Sequence, residues 1–408
     1  TGKRARPSPP ASPPSALPMA ALLTVDSVGD YARSRLSAGG ATASGASPLS
    51  SDGELKVREI HGGNLNYSFA VEDAIGGAVF VKQAPGFIKV LGAEAKLASD
   101  RMKLERAAYL EWEQLLGPEI SGLYFPRIYS MDDTAMAVIM EFLGSYRLLQ
   151  ESLFAGVANA RVAASLGEVM GWMHAKTHCS KVSPEEAKRL WASFENPRLR
   201  DIQLEYVFSK CFREDPRAAY LREDPAFLAE VDALKAAYRG EDKGDLALVH
   251  GDLHAGSVMV DDGAGAVKLI DPEFAIYGPP GLDVGSLLST YAMAYCFRRV
   301  SAAGEGCDAI LEAIGACWSK YAATLSAAGV APEVVASAGE LALGFAGCEV
   351  ARTALGLAFE RSIRLDDADA KAKAEAGALK VGEQCIRCRR GRGPELLQEE
   401  LRKFDVSV

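Results

Sequence analysis

Two acidic clusters, each directly after a short apolar run, constrain the fold of this chain more than any other feature of its sequence. The run at residues 246–249 predicts a buried strand that leads into H-G-D at 250–252. The run at residues 267–270 predicts a second strand that leads into D-P-E at 271–273. A strand at 257–260 and a hairpin turn are predicted between them. Carboxylates gathered at strand ends repel one another unless cations or a proton-transfer task hold them there.

This order of carboxylates is the one that phosphoryl transfer requires. One aspartate accepts the proton of the attacking hydroxyl, and acidic ligands hold the Mg²⁺ that bridges the phosphates. By position, Asp252 is the predicted catalytic residue and Asp271 is the predicted metal ligand. Ser257 stands where a protein kinase usually has a second metal-binding Asn. Because an i, i+2 pair in extended chain points to one side, we expect Glu273 to replace that ligand.

The stretch HGDLHAGSVMV, followed by IDPEFAIYGPPGLDVG, resembles methylthioribose kinases of the protein-kinase-like superfamily. D-P-E in place of D-F-G, with Ser at the Asn position, distinguishes it from choline, homoserine and aminoglycoside kinases. The resemblance extends over about residues 24–375. It implies an α+β, bilobal protein-kinase-like fold, with a small β-rich N-lobe at 24–143 and a larger, mainly helical C-lobe at 144–408. It also implies transfer from ATP, with Mg²⁺, to the 1-hydroxyl of 5-methylthioribose in methionine salvage, by a homodimer.

Nucleotide-binding groups are predicted in the N-terminal part. The glycine-bearing hairpin at residues 62–66 allows close backbone approach to phosphates, although G-G-N-L-N alone indicates only a turn. The resemblance implies that one of its asparagines contacts ATP, Asn66 in the first place and Asn64 in the second. Lys82 ends an apolar strand, as does the lysine that pairs with the α- and β-phosphates. On the next helix we expect Glu105 to form a salt bridge with Lys82, and Asp100, Arg101 and Glu111 to be surface charges.

The remaining ligand contacts are predicted at the end of the N-lobe and in the C-lobe. Glu141, Phe142 and Leu143 end a predicted hairpin and should receive the adenine, and Pro272 is assigned to the nucleotide site with its two acidic neighbours. Arg352 is the one cation of an apolar helix and needs an acidic or sugar partner. The family has two consecutive arginines there that contact substrate, whereas this chain continues with Thr353. His254, two residues past Asp252, is a candidate sugar contact or simply a loop residue.

Several other polar residues are expected to have structural roles. His250 is predicted to anchor the loop, and Asp283 to cap a helix and, by the resemblance, to bind the loop backbone. The i, i+4 pair His174 and His178 indicates a helix face rather than a metal site, because no third ligand accompanies it. No function is assigned to the C-x-x-C of Cys385 and Cys388. None is assigned either to a basic cluster that is expected to be a solvated helix end and consists of Arg387, Arg389, Arg390 and Arg392.

Composition narrows the class of protein. A net charge of -9 argues against a nucleic-acid partner, and no apolar run approaches the ~20 residues that span a membrane. The eight scattered cysteines are typical of a reducing compartment, which favours the cytoplasm. Residues 1–23 contain a Pro/Ser-rich, basic stretch that predicts a disordered tail; an organelle transit segment, and hence a plastid, is the alternative.

Two other functions are compatible with parts of this pattern. One is a related kinase that acts on choline, homoserine or another sugar, because function depends on the site rather than on the fold. The other is an inactive ATP-binding scaffold. The joint presence of Lys82, Asp252, Asp271 and Glu273 argues against the scaffold.

Overall fold

The structure is a computed structural model, and it describes residues 21–38, 47–241, 244–261, 263, 265–301, 304–358, 363 and 365–404. Residues 1–20 of the predicted disordered tail or transit segment lie outside the described residues. So do residues 262 and 264 of the predicted hairpin turn.

The elements follow one another in two blocks, first mainly strands and then mainly helices. The strands are β1 Leu55–Glu59, β2 Tyr67–Asp73, β3 Ala78–Gln83, β4 Ile128–Asp132, β5 Ala137–Glu141, β6 Arg147–Leu148, β7 Ala247–Val249, β8 Val258–Asp261, β9 Ala266–Leu269 and β10 Ile276–Gly278. The helices are α1 Val28–Ala38, α2 Arg101–Leu116, α3 Pro118–Tyr124, α4 Leu149–Phe154, α5 Ala160–Thr177, α6 Pro184–Ser193, α7 Pro197–Tyr206, α8 Lys210–Glu214, α9 Ala219–Arg222, α10 Pro225–Arg239, α11 Gly281–Ser301, α12 Cys307–Ala327, α13 Pro332–Ala354, α14 Ala368–Arg387 and α15 Glu395–Arg402. Short 3₁₀ helices occur at Lys89–Leu91, Pro216–Ala218, Ala255–Ser257 and Pro272–Phe274.

The N-terminal strands form one antiparallel sheet in the order β1-β2-β3-β5-β4. Side chains alternate between its two faces, as the period of a strand requires. Phe69, Val81 and Ile139 pair across three strands and pack with α1 in one apolar cluster. Because Lys82 follows Val81, it points to the opposite face, where Val138 and Met102 of α2 pack. The alternation therefore directs Lys82 toward α2.

The helical part has a larger apolar core, built chiefly from α5, α11, α12, α13 and α14. Two small antiparallel sheets lie in this part. In one of them β7 pairs with β10, a pairing that the sequence did not indicate, and in the other β8 lies between β6 and β9. The predicted strands before H-G-D and D-P-E are confirmed as β7 and β9. The predicted α+β, bilobal fold is thereby confirmed.

Helix α13 is the one helix among the described residues that is long and apolar enough to cross a membrane, although no apolar run of that length was predicted. Within the molecule, 67% of its most apolar window is buried. It packs against α11 and α14 as a core helix does. Burial inside the protein accounts for its composition.

Candidate active site

A cavity of about 310 Å³ brings most of the predicted site residues together. Its wall includes the glycine-rich loop 62–66 from the N-terminal sheet and parts of α7 and α13 from the helical part. The predicted residues that line it are Asn64, Asn66, Lys82, Asp252, His254, Asp271, Glu273 and Arg352. Residues as far apart in the chain as Asn64 and Arg352, which are 288 positions apart, thus face one space.

Lys82 has the predicted acidic partner, Glu105, and a second one, Asp271, that was not predicted. It is 4% exposed, and its Nζ lies 2.6 Å from Oε2 of Glu105, which is 1% exposed. The same Nζ forms an ion pair with Oδ1 of Asp271. Burial by itself lowers the pKa of Lys82, but the carboxylates of Asp271 and Glu105 outweigh it and raise that pKa. The ammonium therefore stays charged where it meets the cavity.

The geometry assumed for D-P-E is wrong. Asp271 has left-handed backbone angles, with φ 71° and ψ 41°, and a 3₁₀ helix begins at Pro272. The segment is therefore not extended, because the φ fixed by the proline ring suits the start of a helical turn. The Asp271 side chain is 43% exposed, whereas Glu273 is buried. Pro272 is buried beside them and is not among the residues of the cavity wall.

Glu273 is bound by two side chains from the N-terminal part. Nδ2 of Asn66 lies 3.0 Å from each of its carboxylate oxygens, and Nε of Arg101 lies 3.3 Å from Oε2. Arg101 is 5% exposed, so the expectation that it is a surface charge is wrong. One signal for its burial was present in the sequence, because Arg101 precedes Glu105 by one helical turn and shares its face.

The three residues predicted to receive adenine do not line the cavity. Glu141 ends β5, and Phe142 and Leu143 follow it. The Glu141 carboxylate accepts from the backbone N–H of Arg127 at 3.1 Å and from Nζ of Lys268 at 3.2 Å. Its side chain is therefore held toward β9. The backbone contact with adenine at this position stays a prediction.

The loop that carries Asp252 is held by buried polar groups. Asp283 accepts from the backbone N–H of His250 at 2.7 Å and of Gly251 at 2.9 Å. Nε2 of His250 donates to the carbonyl of Ile270 at 2.8 Å, next to the second acidic cluster. The anchoring roles of His250 and Asp283 are confirmed. The helix-cap prediction is wrong in position, because Asp283 is the third residue of α11 rather than the residue before it.

The histidine pair binds protein groups, with His174 on α5 and His178 directly after that helix. His174 lies 3.1 Å from Oδ2 of Asp283 and 3.0 Å from the hydroxyl of Tyr321, and His178 lies 2.8 Å from the hydroxyl of Ser180. Over the described part of the chain, no cluster of three or more His, Cys, Asp or Glu residues has a metal-binding arrangement. Because Asp283 also binds the backbone of the Asp252 loop, His174 supports that loop through Asp283.

Arg352 has the acidic partner that its apolar surroundings require. It is buried on α13, and its Nε donates to Oε2 of Glu349 at 2.7 Å. Thr353, at the place of the second family arginine, donates its hydroxyl to the carbonyl of Glu349 and so turns back onto its own helix. His254 also faces the cavity, with Nε2 3.5 Å from Oδ2 of Asp252.

The C-terminal basic residues differ from the prediction in one respect. Arg389 is buried, and its Nη2 lies 2.8 Å from Oε2 of Glu230. The basic cluster is therefore only partly a solvated helix end. Cys385 is buried in the core, whereas Cys388 is exposed. These residues lie away from the cavity wall.

Gly251 provides a test of how tightly the Asp252 loop packs. Its φ is +85°, and a Cβ there would overlap the carbonyl oxygen of Phe274. Gly76, in the turn between β2 and β3, has a φ of +95° but nothing within 4 Å of an added Cβ. Both changes to Ala cost about 1–2 kcal/mol in backbone strain, and Gly251→Ala should cost about 1–3 kcal/mol more through overpacking. Urea denaturation measures this difference, and equal losses in the two variants contradict the packing.

Comparison with known proteins places these features in a family. The profile of the phosphotransferase enzyme family matches residues 56–324. A methylthioribose kinase of Bacillus velezensis is 29% identical over 326 residues, which cover 74% of this chain and 79% of the relative. A methylthioribose kinase of Geobacillus sp. is 29% identical over 359 residues, covering 81% and 86%. A Plasmodium vivax ethanolamine kinase structure covers 82% of this chain and 84% of its own, with a TM-score of 0.47 and 14% identity. The family profile matches well over half of this chain, and the chain therefore belongs to the phosphotransferase enzyme family.

Proposed function

We propose that this protein is an ATP-dependent kinase that phosphorylates 5-methylthioribose at its 1-hydroxyl, giving 5-methylthioribose 1-phosphate and ADP. The observation that carries the proposal is the convergence of Lys82, Asp252, Asp271 and Glu273 on one cavity. These are the cation and carboxylates that phosphoryl transfer needs. The substrate follows from the resemblance at H-G-D and D-P-E and from the relatives that are methylthioribose kinases.

Each residue has a role in this reaction. Asp252 accepts the proton of the 1-hydroxyl as that oxygen attacks the γ-phosphorus and ADP leaves. Lys82, held by Glu105, neutralises charge on the phosphates under the glycine-rich loop. Arg352 and His254 position the sugar. Most of the rate enhancement comes from this positioning and charge neutralisation.

The donor set suits Mg²⁺. Asp271 presents a partly exposed carboxylate to the cavity, and Glu273 lines the same space. Mg²⁺ prefers oxygen ligands and commonly takes only one or two carboxylates, together with water and phosphates. Asp271 and Glu273 would hold it, and when bound it would neutralise charge on the β- and γ-phosphates.

We also propose the nucleotide contacts, the role of each lobe, the compartment and the oligomeric state. The glycine-rich loop, with Asn66 or Asn64, and residues 141–143 bind the nucleotide, so that residues 24–143 act as the nucleotide-binding lobe and residues 144–408 as the catalytic and substrate-binding lobe. The protein acts in the cytoplasm as a homodimer, in methionine salvage. Choline, homoserine and other sugars are the competing acceptors.

An acceptor competition tests this function. ADP release is measured with 5-methylthioribose, ribose, choline and homoserine, with Mg²⁺ and with EDTA. We expect turnover with 5-methylthioribose at least about tenfold above that with ribose, because burial of the methylthio group contributes about 1–3 kcal/mol. Turnover should depend on Mg²⁺. Higher turnover with choline or homoserine would refute the substrate, and tight ATP binding without turnover on any acceptor would favour the scaffold.

A further inference from the structure

Arg101 is a buried cation that connects three parts of the candidate site. We infer that Arg101 is a positioning residue that holds the glycine-rich loop and Glu273 in place for the nucleotide, an inference that rests on the proposed ATP-dependent transfer. It begins α2, the helix that also carries Glu105. Its partners come from the loop before β2 and from the D-P-E segment, more than 170 residues further along the chain.

The contacts use all three nitrogens of the guanidinium. Nη2 donates to the carbonyl of Leu65 at 3.1 Å, which fixes the backbone of the loop. Nε donates to Oδ1 of Asn66 at 3.1 Å and lies 3.3 Å from Oε2 of Glu273. Nη1 donates to the carbonyl of Ala98 at 2.8 Å, which fixes the guanidinium to its own helix start. A planar fork satisfies these directions at once, and a lysine ammonium does not.

The charges of the neighbourhood give Arg101 a second task. Among the residues that the structure describes, the acidic groups of Glu105, Asp271 and Glu273 form ion pairs with two cations, Lys82 and Arg101. Of these two cations, only Lys82 would remain without Arg101 to offset the acidic groups beside the place where the triphosphate binds. Like charges at such distances repel strongly at low local dielectric. The loss of Arg101 therefore weakens nucleotide binding through charge as well as through the loop.

Arg101→Gln and Lys103→Gln form a matched pair for the test. Each removes one positive charge from the first turns of α2, but Lys103 is half exposed and pairs with the exposed Asp100. ATP affinity is measured by calorimetry in EDTA and in excess Mg²⁺, so that no turnover is needed. We expect Arg101→Gln to weaken ATP binding at least about tenfold in EDTA and less in Mg²⁺, because the metal neutralises the same carboxylates. Lys103→Gln should stay within about twofold of wild type, since exposed pairs contribute little.

Hydrogen exchange of the protein without nucleotide measures directly whether Arg101 holds the glycine-rich loop in place. We expect the amides of residues 62–66 to exchange faster in Arg101→Gln than in Lys103→Gln. Arg101→Lys retains the charge and serves if the glutamine variant fails to fold. Arg101→Lys should still loosen the loop. If Arg101→Gln folds, Arg101→Lys should bind ATP in EDTA more tightly than Arg101→Gln does. If Arg101→Gln does not fold, Arg101→Lys should bind ATP in EDTA at least about threefold more weakly than wild type.

The outcomes separate the inference from the proposed function. If wild type binds ATP and the Arg101 variants match it in both affinity and loop exchange, the inference is wrong and the proposed function stands. If wild type does not bind ATP at all, both are wrong. The inference is supported if the Arg101 variants lose more ATP affinity in EDTA than in Mg²⁺ and the amides of the loop exchange faster.

Discussion

Replacing Asp252 by Asn is expected to lower turnover by about 10²–10⁴-fold, the usual contribution of a positioned general base. The amide has the shape of the carboxylate but cannot accept the proton of the attacking hydroxyl. The two residues before it stay held by Asp283, and His250 stays bound to the carbonyl of Ile270, so the loop should keep its conformation. ADP release under saturating ATP and acceptor measures the change in kcat.

ATP affinity should stay within about twofold in this variant, because the lost interaction acts in the transition state. Asp232→Asn, which removes an exposed carboxylate on α10, is the matched control and should leave kcat unchanged. An Asp252→Asn enzyme with more than half of the wild-type kcat would show that another group accepts the proton.

Replacing Lys82 by Met should remove activity and also destabilise the fold. Turnover should fall at least about 10²-fold, because the phosphates lose a preorganised cation. The variant should also lose about 3 kcal/mol of stability, since Glu105 remains buried without its partner. Calorimetric or urea unfolding and ADP release measure the two effects separately.

The destabilisation should depend on pH with a definite sign. Burial raises the pKa of Glu105 to about 8 even against the lowering effect of Lys82, and without Lys82 that pKa rises further. A carboxyl whose folded-state pKa exceeds its unfolded value destabilises the fold progressively as pH rises above the unfolded value. In wild type this effect ends near the pKa of about 8, whereas in Lys82→Met it continues to the higher pKa, so the loss caused by the substitution should change little between about pH 4 and pH 8 and grow above about pH 8.

A second substitution separates the two roles of Lys82. Glu105→Gln in the Lys82→Met background removes the buried charge, so it should restore much of the stability while activity stays lost. Recovery of turnover in the double variant would contradict a phosphate-neutralising role for Lys82. Failure to recover stability would show that the pair with Glu105 is not the main structural contribution.

The parts of the site that could be predicted are those that follow from local pattern. Apolar runs before H-G-D and D-P-E predicted β7 and β9, because a buried strand has a recognisable composition and length. The pair of Lys82, at the end of an apolar strand, with Glu105, on the following helix, was predicted and is present. The anchoring of the loop by Asp283, in contrast, was expected from the family resemblance, and the structure shows it together with the contact of His250.

The parts that could not be predicted depend on distant partners. Arg101 is buried because Glu273 and the carbonyl of Leu65 meet it, and neither lies near it in the chain. Asp271 has left-handed backbone angles and a 3₁₀ helix follows it, whereas the pair of carboxylates at i and i+2 was predicted to lie in extended chain. Glu141 faces Lys268 rather than the cavity, since β9 approaches the end of β5 only in the folded protein.

The most direct test of the proposed reaction is the position of the transferred phosphate. A phosphorus–proton correlation spectrum of the product formed from ATP and 5-methylthioribose shows which carbon bears it. The proposed mechanism predicts coupling of phosphorus to the anomeric proton, with ADP formed in equal amount. Phosphate at another hydroxyl, or ADP with inorganic phosphate alone, would contradict it.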